Sequence, residues 1–159
     1  VFNGFFMSMR SKFVEPGCSI YYYVVEWDAK LPWADFRGQV LGPTDPATAP
    51  VDSLRGAILA KWKDLGLKSE PNTGDNGVHA SASPFEALAE RSNWLGASVK
   101  EDPFGKAMLA KGVSMKMIKA WTDDPPVSFE GKKQSLFDLL EDLDGAECLE
   151  KGAKIAQQN

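Results

Sequence analysis

Apolar residues recur along this chain in two registers, one helical and one continuous. In residues 2–13, Phe5, Phe6, Met9 and Phe13 fall at roughly three- to four-residue spacing, which predicts a helix with one apolar face. Glu15-Pro16-Gly17 then reads as a turn. Residues 19–27 lose the helical period. Ile20, Tyr21, Tyr22, Tyr23, Val24 and Val25 form an unbroken aromatic and β-branched run, which predicts a strand. Apolarity on both faces predicts a central one. Residues 32–41 read as a short helix with Pro32 near its first turn and Gly42 at its end. The prolines at 43, 46 and 50 predict a loop.

The helical period returns at Leu54, Ile58 and Trp62, behind a cap at Asp52 or Ser53, and predicts a helix to about Leu65. Residues 66–77 are polar, with Pro71, Gly74 and two Asn, and read as a surface loop. Val78-His79 reads as extended. Ser83-Pro84-x-Glu86 combines a cap, a first-turn proline and a reciprocal glutamate, and starts a helix to about Leu95. Beyond Gly96, Asp102-Pro103 opens a helix to about Lys111, and Ser114 caps another carrying Met117, Ile118 and Trp121 on one face. Asp123-Asp124-Pro125-Pro126 breaks it, and residues 127–129 read as a brief strand. Residues 135–143 and 146–156 predict two more helices. Asp138, Glu141, Asp142 and Asp144 read as the solvated face of the first of these.

The chain has 159 residues, 43% hydrophobic and 25% charged, which suits one globular domain with a real core. Its net charge of −4 argues against broad nucleic-acid binding, which needs a basic surface. The longest apolar run is far too short to cross a bilayer, so no transmembrane segment is expected. Cys18 and Cys148 show no metal-type spacing and read as free thiols in a reducing compartment, with a bridge between them left open. The chain opens at Val1 and not at Met, so a processed chain or a piece of a longer one is expected.

Its single histidine, His79, lies in Asn76-Gly77-Val78-His79-Ala80-Ser81-Ala82-Ser83. Imidazole titrates near neutral pH and is also a nucleophile. Taken alone, His79 is a loop histidine, Glu90 a helix-face carboxylate, and Arg37 and Arg55 surface ion-pair formers. Their spacing adds to this. Leu41-Gly42-Pro43-Thr44-Asp45-Pro46 precedes Leu54-Arg55-Gly56, with Arg55 eleven positions beyond Thr44. Asn76-x-x-His79-x-Ser81-x-Ser83 follows, and Glu90 and Trp94 come after it, Glu90 eleven positions beyond His79. Trp27 and Arg37 stand upstream, and Phe5-Phe6 near the start. This set resembles the active-site segments of nucleoside diphosphate kinases, over about residues 2–96.

The resemblance implies an α/β fold: a partial ferredoxin-like antiparallel sheet with packed helices. Residues 1–96 would be the kinase-like region and 97–159 a helical C-terminal extension. It implies that His79 attacks the γ-phosphorus of a nucleoside triphosphate and passes the phosphoryl group to a nucleoside diphosphate. Glu90 and Ser81 would fix its tautomer. Arg37, Thr44 and Arg55 would hold phosphates, Asn76 the sugar hydroxyl, and Phe5 would stack on the base. Mg²⁺ would arrive with the nucleotide, and no protein metal-ligand set is implied.

The departures define a second reading. The family's first strand and its catalytic lysine would precede Phe2. Val51-Asp52-Ser53 stands where the family has Pro-Gly-Thr, and an added Asp is unhelpful beside phosphates. Ala80 and Ala82 replace a Gly and an Asp, and one residue is inserted between Arg37 and Thr44. The alternative to a divergent kinase is therefore a degenerate kinase-like module serving as an accessory subunit. A sensor that binds nucleotide without turnover is a third option. A half-sheet leaves apolar positions and a strand edge to be covered, so the extension, a protein partner or a homo-oligomer is expected there.

Overall fold

Ser53, Ser83, Ser114 and Ser135 each accept a hydrogen bond from the backbone N–H three residues on, and each starts a helix. Asp102 does the same for Phe104 and Gly105. These caps satisfy N–H groups that have no partner inside the helix, and they fix where most of the helices begin. The computed structural model of the chain describes residues 4–159, apart from the side chains of Phe5, Phe6 and Met9. Its helices are α1 (Gly4–Val14), α2 (Trp33–Asp35), α3 (Leu54–Lys61), α4 (Pro84–Leu95), α5 (Pro103–Ala110), α6 (Met115–Trp121), α7 (Leu136–Leu140) and α8 (Gly145–Ala156). The strands are β1 (Pro126–Phe129) and β2 (Lys132–Ser135). Among the described residues the fold is thus mixed: helices with a small antiparallel sheet.

That sheet is not where the sequence pattern places it. β1 and β2 pair with each other in the register Pro126↔Ser135 to Phe129↔Lys132. Glu130 and Gly131 make the turn, both at positive φ (51° and 79°), as the tightest hairpins require. Residues 19–27, expected as a central strand, form neither helix nor ladder. Tyr21 is 92% and Tyr23 83% exposed. The correction has a physical cause. A strand has no hydrogen bonds of its own and needs a neighbour for its N–H and C=O groups. Among the described residues, β1 and β2 are already paired to each other, so composition alone leaves this run extended.

Two further differences concern residues 32–50. The predicted helix forms, but as α2 followed by a π-helical turn, Phe36–Leu41, ending at Gly42 with φ 93°. A π turn takes in an extra residue per turn, and it falls on the stretch where a residue is inserted between Arg37 and Thr44. The proline-rich loop contains a 3₁₀ turn, Pro46–Thr48, capped by the Asp45 side chain. Pro46 suits the first position because it has no N–H to satisfy.

The chain divides into two compact units. In the first, residues 4–31 and 38–78, the segment from Gly42 to Gly56 closes tightly. A Cβ on Gly56 would lie 2.0 Å from the Pro50 carbonyl oxygen, and one on Gly42 would lie 2.6 Å from Ser53 Oγ. Both glycines of the Leu-Gly and Arg-Gly motifs therefore serve close packing. Ser53 is fully buried, donates to the Pro50 carbonyl at 2.6 Å and accepts from the Gly56 N–H at 3.1 Å.

The second unit, residues 32–37 and 79–159, holds the hydrophobic core. Phe85 and Leu88 of α4 pack with Met108 (α5), Ile118 and Trp121 (α6), Val127 and Phe129 (β1), Leu136, Leu139 and Leu140 (α7), and Cys148 and Ile155 (α8). Phe85 meets Trp121 and Phe137 edge-on, at 6.0 and 6.1 Å between ring centres. Residues 97–159 are built directly onto α4, the helix that carries Glu90.

Candidate functional site

Gly77, at φ 81°, turns the chain into the extended segment 78–82, and the Ser83 cap with Pro84 converts that segment into α4. His79 and Ser81 are two residues apart on the extended stretch. Glu86 and Glu90 are four apart on α4 and so share one helix face. The two pairs meet. His79 Nε2 lies 2.5 Å from Glu90 Oε1, and Ser81 Oγ donates to Glu90 Oε2 at 2.5 Å. The Ala82 N–H donates to Glu86 Oε2, also at 2.5 Å. The capping glutamate therefore reaches one residue before the cap and pins the segment that bears Ser81.

The segment is held from its other side too. Trp33 donates its indole N–H to the Ser81 carbonyl at 2.9 Å. The Asp142 N–H donates to the Ala82 carbonyl at 2.9 Å. Asp144 accepts the Trp33 backbone N–H at 2.7 Å. The His79 side chain stays 67% exposed while that of Glu90 is 29% exposed, an imidazole at the surface over a more shielded carboxylate.

Electrostatics separates the two α4 carboxylates. Burial pushes Glu90 up, but its bonds to His79 and Ser81 outweigh this and hold it below the ordinary glutamate value. Glu86 is raised: burial dominates, the Ala82 bond opposes it, and the Glu90 charge adds to it. Glu86 also feels His79 and Arg37, so all these groups share one electrostatic neighbourhood. With Glu90 ionised and able only to accept, His79 Nε2 carries the proton of their hydrogen bond. That tautomer gives Nδ1 the lone pair.

Arg37, at the π turn, donates from Nη1 to Glu141 Oε1 at 3.0 Å and to Asp142 Oδ1 at 2.5 Å. Burial lowers its pKa, but these bonds outweigh burial and leave it raised. Glu141, Asp142 and Asp144 are therefore not a plain solvated helix face. They lie in the loop after α7, and each is engaged.

The remaining expected ligands lie in the first unit. Arg55 is only 9% exposed, and it donates to the Gly42 carbonyl at 2.7 Å and the Val78 carbonyl at 2.9 Å. It ties the Leu-Gly motif to the residue that precedes His79. Asn76 Nδ2 donates to the Thr44 carbonyl at 3.1 Å. The Phe5 side chain lies outside the described residues. Thus the structure assembles His79, Ser81 and Glu90, with Arg37 in the same electrostatic neighbourhood. In the first unit it ties Arg55 to the Gly42 and Val78 carbonyls and, separately, Asn76 to the Thr44 carbonyl.

Sequence reasoning missed the part played by Trp33, Glu86 and the acidic loop. Only Glu86 carried a signal, the capping box. A cleft of about 380 Å³ runs along α4 beside this cluster, lined by Glu86, Glu90, Asn93, Thr122 and Asp123 among others. Its acidic lining is unsuited to a polyanion, so this cleft does not suit a phosphate. No group of three or more His, Cys, Asp or Glu among the described residues is placed to hold a metal ion. No helix among them is long and apolar enough to cross a membrane.

No family model matches the chain, and no curated protein or solved structure matches it.

Proposed function

We propose that this chain is a divergent nucleoside diphosphate kinase-like phosphotransferase that works through phospho-His79. One observation carries the reading: the Ser81–Glu90–His79 relay, which sets the imidazole tautomer. In the step it supports, the Nδ1 lone pair attacks the γ-phosphorus of ATP. The bond from that phosphorus to the β–γ bridging oxygen breaks, and ADP leaves with the electron pair. The ring becomes cationic, and the Glu90 carboxylate facing Nε2–H balances that charge. A terminal oxygen of a nucleoside diphosphate then attacks the same phosphorus, and the N–P bond breaks with its electrons returning to Nδ1. Mg²⁺ would enter bound to the nucleotide's phosphates. The ferredoxin-like topology and residues 1–96 as a kinase region belong to the same proposal.

The partners of this reading are nucleoside di- and triphosphates, with Arg37, Arg55, Thr44, Asn76 and Phe5 as candidate contacts. The deciding experiment incubates the full chain and His79→Ala with γ-labelled ATP and Mg²⁺. Acid-labile label that needs His79 and moves to added GDP is expected. No label on a folded protein would overturn the kinase.

One observation favours the second reading, a degenerate module acting as an accessory subunit of a larger assembly or a homo-oligomer. Both candidate phosphate arginines are engaged by the protein itself, Arg55 by carbonyls and Arg37 by carboxylates. Under it the label never forms, while the chain co-purifies with a partner or with itself at fixed stoichiometry.

A further inference from the structure

Arg37 is the candidate phosphate ligand that belongs to the same unit as His79 and Glu90 and shares their electrostatic neighbourhood, and acidic groups of the chain already occupy it. A single guanidinium nitrogen serves both Glu141 and Asp142, and it is one of the donors a phosphate oxygen would use. The acidic loop is fixed by more than charge. The Asp142 N–H is bonded to the Ala82 carbonyl, and Asp144 to the Trp33 N–H, so the loop holds the backbone just after Ser81 and ahead of Arg37. Asp142 itself holds φ 58°, a left-handed conformation that a non-glycine residue adopts at a cost.

We infer that the loop Glu141–Asp142 of the C-terminal segment is an autoinhibitory phosphate mimic, holding Arg37 until the polyphosphate of an incoming nucleotide displaces it. This inference rests on the phosphotransferase reading. The exposure of the pair gives it the required weakness. The Arg37 side chain is 26% exposed and each carboxylate 48%, and half-exposed ion pairs are readily exchanged. A polyphosphate presents several closely spaced oxygens that can accept from both arms of the guanidinium at once, whereas a single nitrogen serves these two carboxylates, and so it can win the competition.

The test compares the full chain with E141Q/D142N. Asn tolerates positive φ and keeps the backbone bond to Ala82, so the loop geometry survives. E101Q/E147Q, which neutralises exposed carboxylates elsewhere in the same unit, controls for net charge. ADP with Mg²⁺ is titrated by calorimetry, and His79 labelling from γ-labelled ATP is followed in parallel. E141Q/D142N is expected to bind ADP about three- to tenfold more tightly than the unaltered chain, with the control unchanged. Equal affinities in all the proteins, with label still forming on His79, overturn the inference and leave the kinase reading standing. No binding and no label in any of them overturns both. Tighter binding without label sustains the displaced-arginine site and removes the kinase.

Discussion

Glu86 and Glu90 are one helical turn apart, yet their environments push them in opposite directions. Glu90 is depressed, so its contribution to stability is fully present above the ordinary carboxylate range and is lost as pH falls through its folded value. Glu86 is raised, so its contribution is complete at low pH and is lost as pH rises through its folded value. The substitutions E90Q and E86Q should therefore have opposite signs at pH 7. Losing the Glu90 charge weakens the bonds to His79 and Ser81. At this partly exposed site the cost is about 1 kcal/mol, or ~2–4 °C in Tm. E86Q removes a charge that burial penalises and keeps an oxygen for the Ala82 N–H, so Tm should rise. Both differences should shrink at a second pH well below the ordinary carboxylate range, where Glu86 is protonated first and the depressed Glu90 last. Thermal melts at the two pH values check this, and a fall in Tm for E86Q at pH 7 would contradict the burial argument.

At the level of elements, what could be read from the sequence was what local chemistry decides. Serine and aspartate caps start α3 to α7 where the sequence places them, and Gly96, at φ 65°, ends α4 as read. The pairing of His79 with Ser81 and Glu90 was implied by the resemblance alone; read by itself, Glu90 was a helix-face carboxylate. Hidden from the sequence were features set by distant partners. Trp33 against Ser81, Arg37 against Glu141, and the Glu130-Gly131 hairpin carry no strong local signature. The run at 19–27 shows the opposite failure: a strong local preference for strand without a ladder to join. Its exposure gives a sharp test. Val24 is 58% exposed, so V24D should change unfolding free energy by no more than about 0.5 kcal/mol in chemical denaturation. Were this a central strand, a buried unpaired carboxylate would cost several times more. A loss above ~2 kcal/mol would restore the strand.

For the whole molecule, stability is distributed unevenly between the units. Among the described residues, every member of the hydrophobic core cluster belongs to residues 79–159, drawn from α4 to α8, β1 and the loop residues Val99 and Val113. Among the described residues of the first unit, Leu41 and Pro46 are buried, with Ser53 and Arg55 buried as polar groups. Packing there depends on hydrogen bonds to carbonyls and on glycine contacts, which contribute less than buried apolar area. Local opening should follow that difference. In hydrogen–deuterium exchange, amides of α4, α7 and α8 should be slowed at least ~10³-fold, as core helices of a cooperative unit are. Amides of residues 19–26, outside any helix or ladder, should exchange near the intrinsic rate. The Arg55 tether ranks between them, because its bonds to Gly42 and Val78 can break only when the segment from 42 to 56 opens. R55K keeps the charge but cannot span both carbonyls with a planar fork, so it should speed exchange over 42–56 and leave α8 unchanged. Equal protection of residues 19–26 and α8 in the unaltered chain would mean that the tyrosine run is paired in solution, and that stability is shared more evenly than the core indicates.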